Sequence, residues 1–141
     1  MEIRPARTAD CREIAELLTA LGYPATPAQA RDRLGALDES DCVLIGEGGL
    51  IAMRRVPRLA EGTPLARITA LAVAPERRGK GVGRALLSAA EDVARGWGCA
   101  LLEVSSGRRP ERGAAHAFYR ATGFDEAAAL SIHYWKRLER R

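Results

Sequence analysis

"PERRGKGVGRALL", residues 75–87, directly follows the apolar stretch "LARITALAVA" at 65–74. Glycines alternate with cationic residues in it and lead straight into an apolar pattern of helical spacing. Glycine permits positive φ and a close approach of the backbone to a ligand, and cations beside a helix start attract anions. The stretch therefore predicts a strand, an anion-binding turn and a helix, and this unit decides the fold.

The two commonest phosphate-binding motifs do not fit this turn. A P-loop needs Ser or Thr after its lysine, whereas Lys80 is followed by Gly81. A dinucleotide fingerprint needs the spacing GxGxxG after a first strand, whereas these glycines stand at 79, 81 and 83 in mid-chain. On the glycines alone, a solvated turn flanked by arginines remains the alternative to a phosphate site.

The segments on either side of this unit predict a mixed α/β (α+β) fold with helices on both faces of one sheet. Strands are predicted at 2–7, 42–45, 50–53, 65–74, 99–106 and 130–138, and helices at 8–22, 26–37, 81–96 and 112–123. An antiparallel hairpin meander precedes one β-α-β crossover, and the strand at 99–106 is expected to be buried. A short extra strand at 124–126 is an option.

Composition narrows the classes of protein. The 141 residues predict one domain spanning 1–141, and the net charge of +4 suits an anionic ligand. The three cysteines are far apart, which excludes a disulfide scaffold and a zinc site. The charged N-terminus and the lack of a long apolar run indicate a cytoplasmic protein without membrane contact. Arginines spread over the whole chain argue against nucleic-acid binding.

"LAVAPERRGKGVGRALL" resembles the acyl-CoA-binding motif of the GNAT superfamily of N-acetyltransferases, and "AAHAFYRATGF" is similar to the last helix of that family. The opening "IRPARTADCREIAELL" also matches the usual start, so the resemblance covers nearly the whole chain. It implies a mixed sheet of six to seven strands, flanked on both faces by about four helices.

The resemblance implies acetyl-CoA as the acyl donor and a primary amine, from a small molecule, as the acceptor. The backbone of the strand before the turn would bind the pantetheine arm, at Leu71, Ala72 and Val73. The pyrophosphate would be bound by Arg78, Gly79, Lys80, Gly81, Val82, Gly83 and Arg84. Arg112 either reaches the phosphates or lies in solvent.

Acyl transfer also needs a base for the amine and an acid for the departing thiolate. Tyr119 stands where the family often has its general acid, although an aromatic residue there could serve packing alone. Relatives often carry a glutamate where this chain has Ala70. Glu103 is the preferred substitute base, and the other candidates are Glu47, His116, His133 and free solvent.

Three alternatives remain open on the sequence. The acceptor could be a protein or peptide amine, or the protein could bind acyl-CoA without catalysis. The stretch "LSIHYWKRL" at 130–138 is a candidate pairing element for a homodimer, which the molar mass by light scattering would test.

Overall fold

The computed structural model describes residues 1–105, 113–126, 134 and 136–138. The chain divides into two compact units, Met1–Ser105 and Ser106–Arg141. The strands are β1 (Arg4–Pro5), β2 (Asp41–Gly46), β3 (Gly49–Val56), β4 (Leu65–Val73) and β5 (Leu101–Val104). The helices are α1 (Cys11–Leu21), α2 (Pro27–Gly35), α3 (Val82–Gly96) and, in the second unit, α4 (Gly113–Ala121).

The strands of the first unit form one sheet in the order β1-β2-β3-β4-β5. The first four strands run antiparallel to their neighbours, whereas β5 runs parallel to β4. Because α3 connects β4 to β5, the predicted hairpin meander followed by a β-α-β unit is confirmed.

Six to seven strands are not confirmed, since the described residues contain five. The strand predicted at 130–138 falls largely outside those residues, and 124–126 form no strand. β5 is less buried than predicted. Leu101 is 43% exposed, because within the described chain β5 has a neighbour on one side only.

Helices α1 and α2 cover one face of the sheet, and their boundaries follow from local sequence signals. Gly22 ends α1 with φ of 105°, a left-handed conformation that glycine adopts without strain. Thr26 and Gln29 cap the start of α2 by reciprocal side-chain to backbone hydrogen bonds. The apolar side chains of both helices form one buried cluster with Ile45, Leu50 and Ala72 of the sheet.

Helix α3 packs on the opposite face. Gly49 shows this contact, because a Cβ atom there would lie 2.7 Å from Cγ1 of Val82 and 2.8 Å from Cδ1 of Leu86. Neighbouring residues of a strand point to opposite faces, and the next residue, Leu50, belongs to the α1 cluster. The first unit thus has three layers. None of the helices in the described part of the chain is long and apolar enough to cross a membrane.

An ion pair joins β1 to the start of α1. The guanidinium of Arg4 donates to both carboxylate oxygens of Asp10, at 2.9 and 2.7 Å, and the backbone N–H of Arg7 donates to the same carboxylate at 2.7 Å. The hydrogen bonds from Arg4 and then from Arg7 lower the pKa of Asp10 from 3.8 to about 2, against the opposing effect of burial.

Replacing Asp10 by Asn should lower the free energy of unfolding by about 2 kcal/mol at pH 7, because charge-assisted hydrogen bonds are lost. The pKa of Asp10 is lower in the folded state, so its contribution is complete above pH 4 and disappears as the pH falls to about 2. Urea unfolding across this range should show the gap between wild type and variant closing with acid. A difference in free energy of unfolding that does not change with pH would contradict the ion pair of Asp10 with Arg4. Asp92→Asn is the control: Asp92 is 77% exposed beside Arg95, and its loss should cost under about 0.5 kcal/mol.

Candidate functional site

Strand β4 is paired along its full length on one side and only in part on the other. β3 accompanies it from Leu65 to Val73, whereas β5 pairs only as far as Ile68, opposite Val104. Beyond Ile68, the β5 side of β4 has no strand partner among the described residues. Among the described strands the sheet therefore opens at this point, and this edge of β4 is available to a ligand that can form main-chain hydrogen bonds.

A β-bulge marks the place where the sheet opens. Ala52 pairs with Ala70 and Met53 with Ile68, so Thr69 is the extra residue of β4. The hydroxyl of Thr69 donates to the carbonyl of Ala52 at 3.4 Å. Bulges bend a strand and are frequent next to active sites.

Strand alternation decides which peptide groups face the open edge. The N–H of Ala74 donates to the carbonyl of Gly48 at 2.7 Å, so the peptide groups of Ala72 also face β3. Those of Leu71 and Val73 face away from β3. Ala72 is therefore directed away from the open edge, and its side chain is buried in the α1 cluster. Of the three predicted pantetheine contacts, Leu71 and Val73 therefore direct their peptide groups to this edge, and Ala72 directs its own to β3.

The glycine turn follows β4 through one helical turn at Pro75–Arg77. Gly79 and Gly81 have φ of 76° and 83°, and a Cβ atom added at either would meet nothing within 4 Å. Gly81 precedes the first residue of α3 and supplies no side-chain cap. The first N–H groups of a helix have no intrahelical partner, so those of Val82, Gly83 and Arg84 can donate to an anion.

The cations of the turn differ in what they contact. Nε of Arg78 donates to the carbonyl of Val73 at 3.3 Å, which ties the turn back to the end of β4. Lys80 and Arg84 are exposed, and no hydrogen bond within the described chain engages their side chains. Val82 is 1% exposed, so only its backbone is available to a ligand.

A contact that the sequence did not predict holds the turn against the β2–β3 hairpin. Arg77 donates to a carboxylate oxygen of Glu47 at 2.9 Å, while its Nε is buried without a hydrogen-bond partner among the described residues. A Cβ atom at Gly48 would lie 2.5 Å from Cγ of Arg77. Because Glu47 is 74% exposed, packing of Arg77 on Gly48 carries this contact more than the ion pair does.

Gly48→Ala should therefore destabilise the protein by about 2–4 kcal/mol, through left-handed strain at φ of 73° and the clash with Arg77. An Arg77→Ala background removes the 2.5 Å clash with Cγ and leaves only the 3.2 Å approach to Cβ, so the same substitution should cost only about 1–2 kcal/mol. Urea unfolding of wild type, Gly48→Ala, Arg77→Ala and the double variant measures the cost of Gly48→Ala in each background. Equal costs in both backgrounds would show that Arg77 does not require the glycine.

Glu103 lies on β5 directly opposite Arg67 of β4. Its carboxylate forms an ion pair with Nε of Arg67, and the two side chains are 26% and 48% exposed, respectively. Glu103 is therefore half-buried where the pairing of β4 with β5 ends, with its carboxylate on Arg67. The sequence analysis does not predict a role for Arg67, although a charged residue inside the apolar run of β4 is a usable signal.

Tyr119 belongs to the second unit. It is half-buried on α4, and its ring meets the rings of Phe118 and Phe124 edge-on, with centroids 5.7 and 5.6 Å apart. Gly123 follows the helix with φ of 96°, as expected of a helix stop. Arg112 and His133 lie outside the described residues.

Known proteins share this fold. A solved aminoglycoside antibiotic 6'-N-acetyltransferase from Acinetobacter haemolyticus is similar with a TM-score of 0.79 and 21% identity, over 99% of this chain and 100% of that one. A ribosomal-protein-alanine N-acetyltransferase from Brucella melitensis is similar with a TM-score of 0.77 and 22% identity, over 98% and 100%. At such identities the likeness shows the fold alone.

Sequence comparison is more specific. An aminoglycoside N(6')-acetyltransferase type 1 from Stenotrophomonas maltophilia is 42% identical over 66 residues, which are 47% of this chain and only 42% of that enzyme. The profile of the acetyltransferase (GNAT) family matches residues 10–124, which are most of the chain and include β4, the glycine turn and α4. The protein therefore belongs to the GNAT family of acetyltransferases.

Proposed function

We propose that the protein transfers an acetyl group from acetyl-CoA directly to a primary amine of a small molecule. The observation that carries this proposal is the open edge of β4 in the described chain, which is followed after one helical turn by the glycine turn at the start of α3. Acetyl-CoA has an amide-rich pantetheine arm joined to a pyrophosphate. The arm matches the edge of β4, and the pyrophosphate matches the turn that follows it. Membership of the acetyltransferase family supports the same donor.

The donor would be bound mainly by the backbone. Leu71 and Val73 offer peptide groups to the pantetheine amides, as a ligand strand would use them. The N–H groups from Gly79 to Arg84 would donate to the pyrophosphate, assisted by the dipole of α3 and by the charges of Arg78 and Arg84. We assign Lys80 a minor electrostatic part, and Arg112 a contact with the same phosphates.

The reaction requires a neutral amine. In the proposed mechanism the carboxylate of Glu103 takes a proton from the acceptor ammonium, and the amine nitrogen attacks the thioester carbonyl. The carbon–nitrogen bond forms, the carbon–sulfur bond breaks, and the thiolate leaves with a proton from the phenol of Tyr119. The nitrogen then gives its surplus proton to the resulting phenolate, and Glu103 releases its proton to solvent. The hydroxyl of a phenol can donate a proton to a leaving thiolate, so Tyr119 is chemically suited to act as this acid.

Two relatives named for aminoglycoside acetylation support a small amine as acceptor. A peptide N-terminus is the second candidate acceptor, because the chain is also similar in fold to a protein named as a ribosomal-protein-alanine N-acetyltransferase. A non-catalytic acyl-CoA-binding protein is the third candidate, since Ala70 supplies no carboxylate.

Calorimetric titration with acetyl-CoA, followed by detection of free CoA thiol with amines and with peptides, tests the proposal. We expect one donor per chain and thiol release that depends on a small amine. Release with peptides alone would favour the second candidate. Binding without release in either panel would favour the third, and a folded protein that binds no acetyl-CoA would refute all three.

A further inference from the structure

We propose that the acceptor carries a carboxylate near its amine and that Arg67 binds this carboxylate, which makes Arg67 a specificity-determining residue. The inference rests on the proposed function, because it takes the acyl group to lie at the open edge of β4. It goes further by naming the chemical class of the acceptor, an amino acid, and the side chain that selects it.

The direction of the donor brings the reacting carbon towards Arg67. Coenzyme A is linear, with its pyrophosphate at one end of the pantetheine arm and its sulfur at the other. With the pyrophosphate at Gly81 and the arm along Val73 and then Leu71, the sulfur extends back along β4 towards Thr69. There β5 closes on β4, and the next charged pair along the two strands is Arg67 and Glu103.

Arg67 is chemically suited to a carboxylate. A guanidinium has five N–H groups in a planar fork, and the ion pair with Glu103 uses Nε alone. Both Nη groups have no acceptor within the part of the chain that the structure describes. The side chain is 48% exposed, so a carboxylate can reach the fork and accept two parallel hydrogen bonds.

The neighbouring arginine shows why Arg67 is the selective one. Arg54 pairs with Arg67 across β3 and β4, so two like charges lie side by side on one face of the sheet. Arg54 is already neutralised, since Nη1 lies 3.1 Å from Asp41 and Nη2 lies 3.6 Å from Asp38. Arg67 is paired through Nε alone among the described residues, so a carboxylate can bind its Nη groups without displacing a partner.

An acceptor that carries both an amine and a carboxylate would be complementary to the charges of Glu103 and Arg67. Its ammonium would meet Glu103, which takes the proton, and its carboxylate would meet the Nη groups of Arg67. Because Arg67 and Glu103 touch each other, the two groups of the acceptor must be close together, as they are in α- and β-amino acids.

The test compares amino acids with their own primary amides, which keep the shape and lose the charge. Free CoA thiol is measured with α- and β-amino acids and their amides, and kcat/KM of each acid is divided by that of its amide. Wild type should favour the best acid by at least about tenfold. Arg67→Gln should reduce this ratio to within about threefold of one, and Arg67→Lys should restore part of it.

Arg54→Gln is the matched control, because Arg54 has the same 48% exposure and the neighbouring register position. It should leave the ratio unchanged. If Arg67→Gln slows acids and amides by the same factor, Arg67 acts only through Glu103, and the inference is wrong. A best acceptor that has no carboxylate also overturns it, as does a ratio that Arg67→Gln leaves unchanged.

A binding measurement separates this inference from the proposed function. The complex with non-acetylated CoA is titrated with the best acid and its amide, without turnover. Tighter binding of the acid that Arg67→Gln abolishes supports the inference even when no thiol is released, in which case the proposed catalysis alone fails. Equal binding of acid and amide refutes the inference even in an active enzyme.

Discussion

Replacing Gly81 by Asp should weaken acetyl-CoA binding by more than about a hundredfold. Gly81 has φ of 83° and is the residue directly before α3. An aspartate there places a negative charge beside the N–H groups that would bind the pyrophosphate. Calorimetric titration of wild type and variant measures the change.

Two controls separate charge from backbone strain. Gly81→Asn keeps the size and the left-handed conformation, which asparagine and aspartate both tolerate, but adds no charge. Its loss of affinity should therefore be much smaller. Gly62→Asp introduces the same charge at φ of 77° with open space around the residue, in the loop before β4. We expect Gly62→Asp to leave the affinity for acetyl-CoA unchanged. Equal losses of affinity at positions 62 and 81 would show that the pyrophosphate does not bind at the glycine turn.

Replacing Tyr119 by Phe should lower kcat by about a hundredfold or more while leaving the affinity for acetyl-CoA within about twofold. The substitution removes the phenolic oxygen and keeps the edge-on contacts with Phe118 and Phe124. The loss should lie in kcat, because proton donation to the thiolate assists the departure of the leaving group and is not needed for binding. Steady-state thiol release with a fixed amine gives kcat.

Tyr23→Phe serves as the matched control, since Tyr23 is 60% exposed and has no assigned role. It should match wild type in kcat and in affinity. Full activity of Tyr119→Phe would assign Tyr119 to packing alone. A parallel loss of acetyl-CoA affinity would instead indicate that the phenol contributes to binding of the donor.

Local signals in the sequence were sufficient for most elements of the first unit. Thr26 with Pro27 fixed the start of α2, Gly22 fixed the end of α1, and the glycines at 79 and 81 lie where the chain turns into α3. Such signals work because a cap or a left-handed glycine depends on only a few neighbouring residues.

Features that depend on pairing between distant strands were harder to predict. The periodicity of β4 could not show that its pairing with β5 ends at Ile68 or that Thr69 forms a bulge. These two facts determine that the peptide groups of Leu71 and Val73 lie on the unpaired edge and that those of Ala72 face β3. The ion pair of Arg67 with Glu103 joins residues 36 positions apart in the chain, and the packing of Arg77 on Gly48 also joins residues from distant parts of it. The sequence offered the residue types but not their register.

The open edge of β4 also bears on how the protein behaves in solution before it meets its donor. A strand edge with free peptide groups is a template on which another chain can add, and this is a common route to aggregation. A pantetheine arm lying along Leu71 and Val73 would occupy the same groups. The donor would then act as a ligand that protects the fold, and protein kept without it would be the more prone to assemble through its sheet.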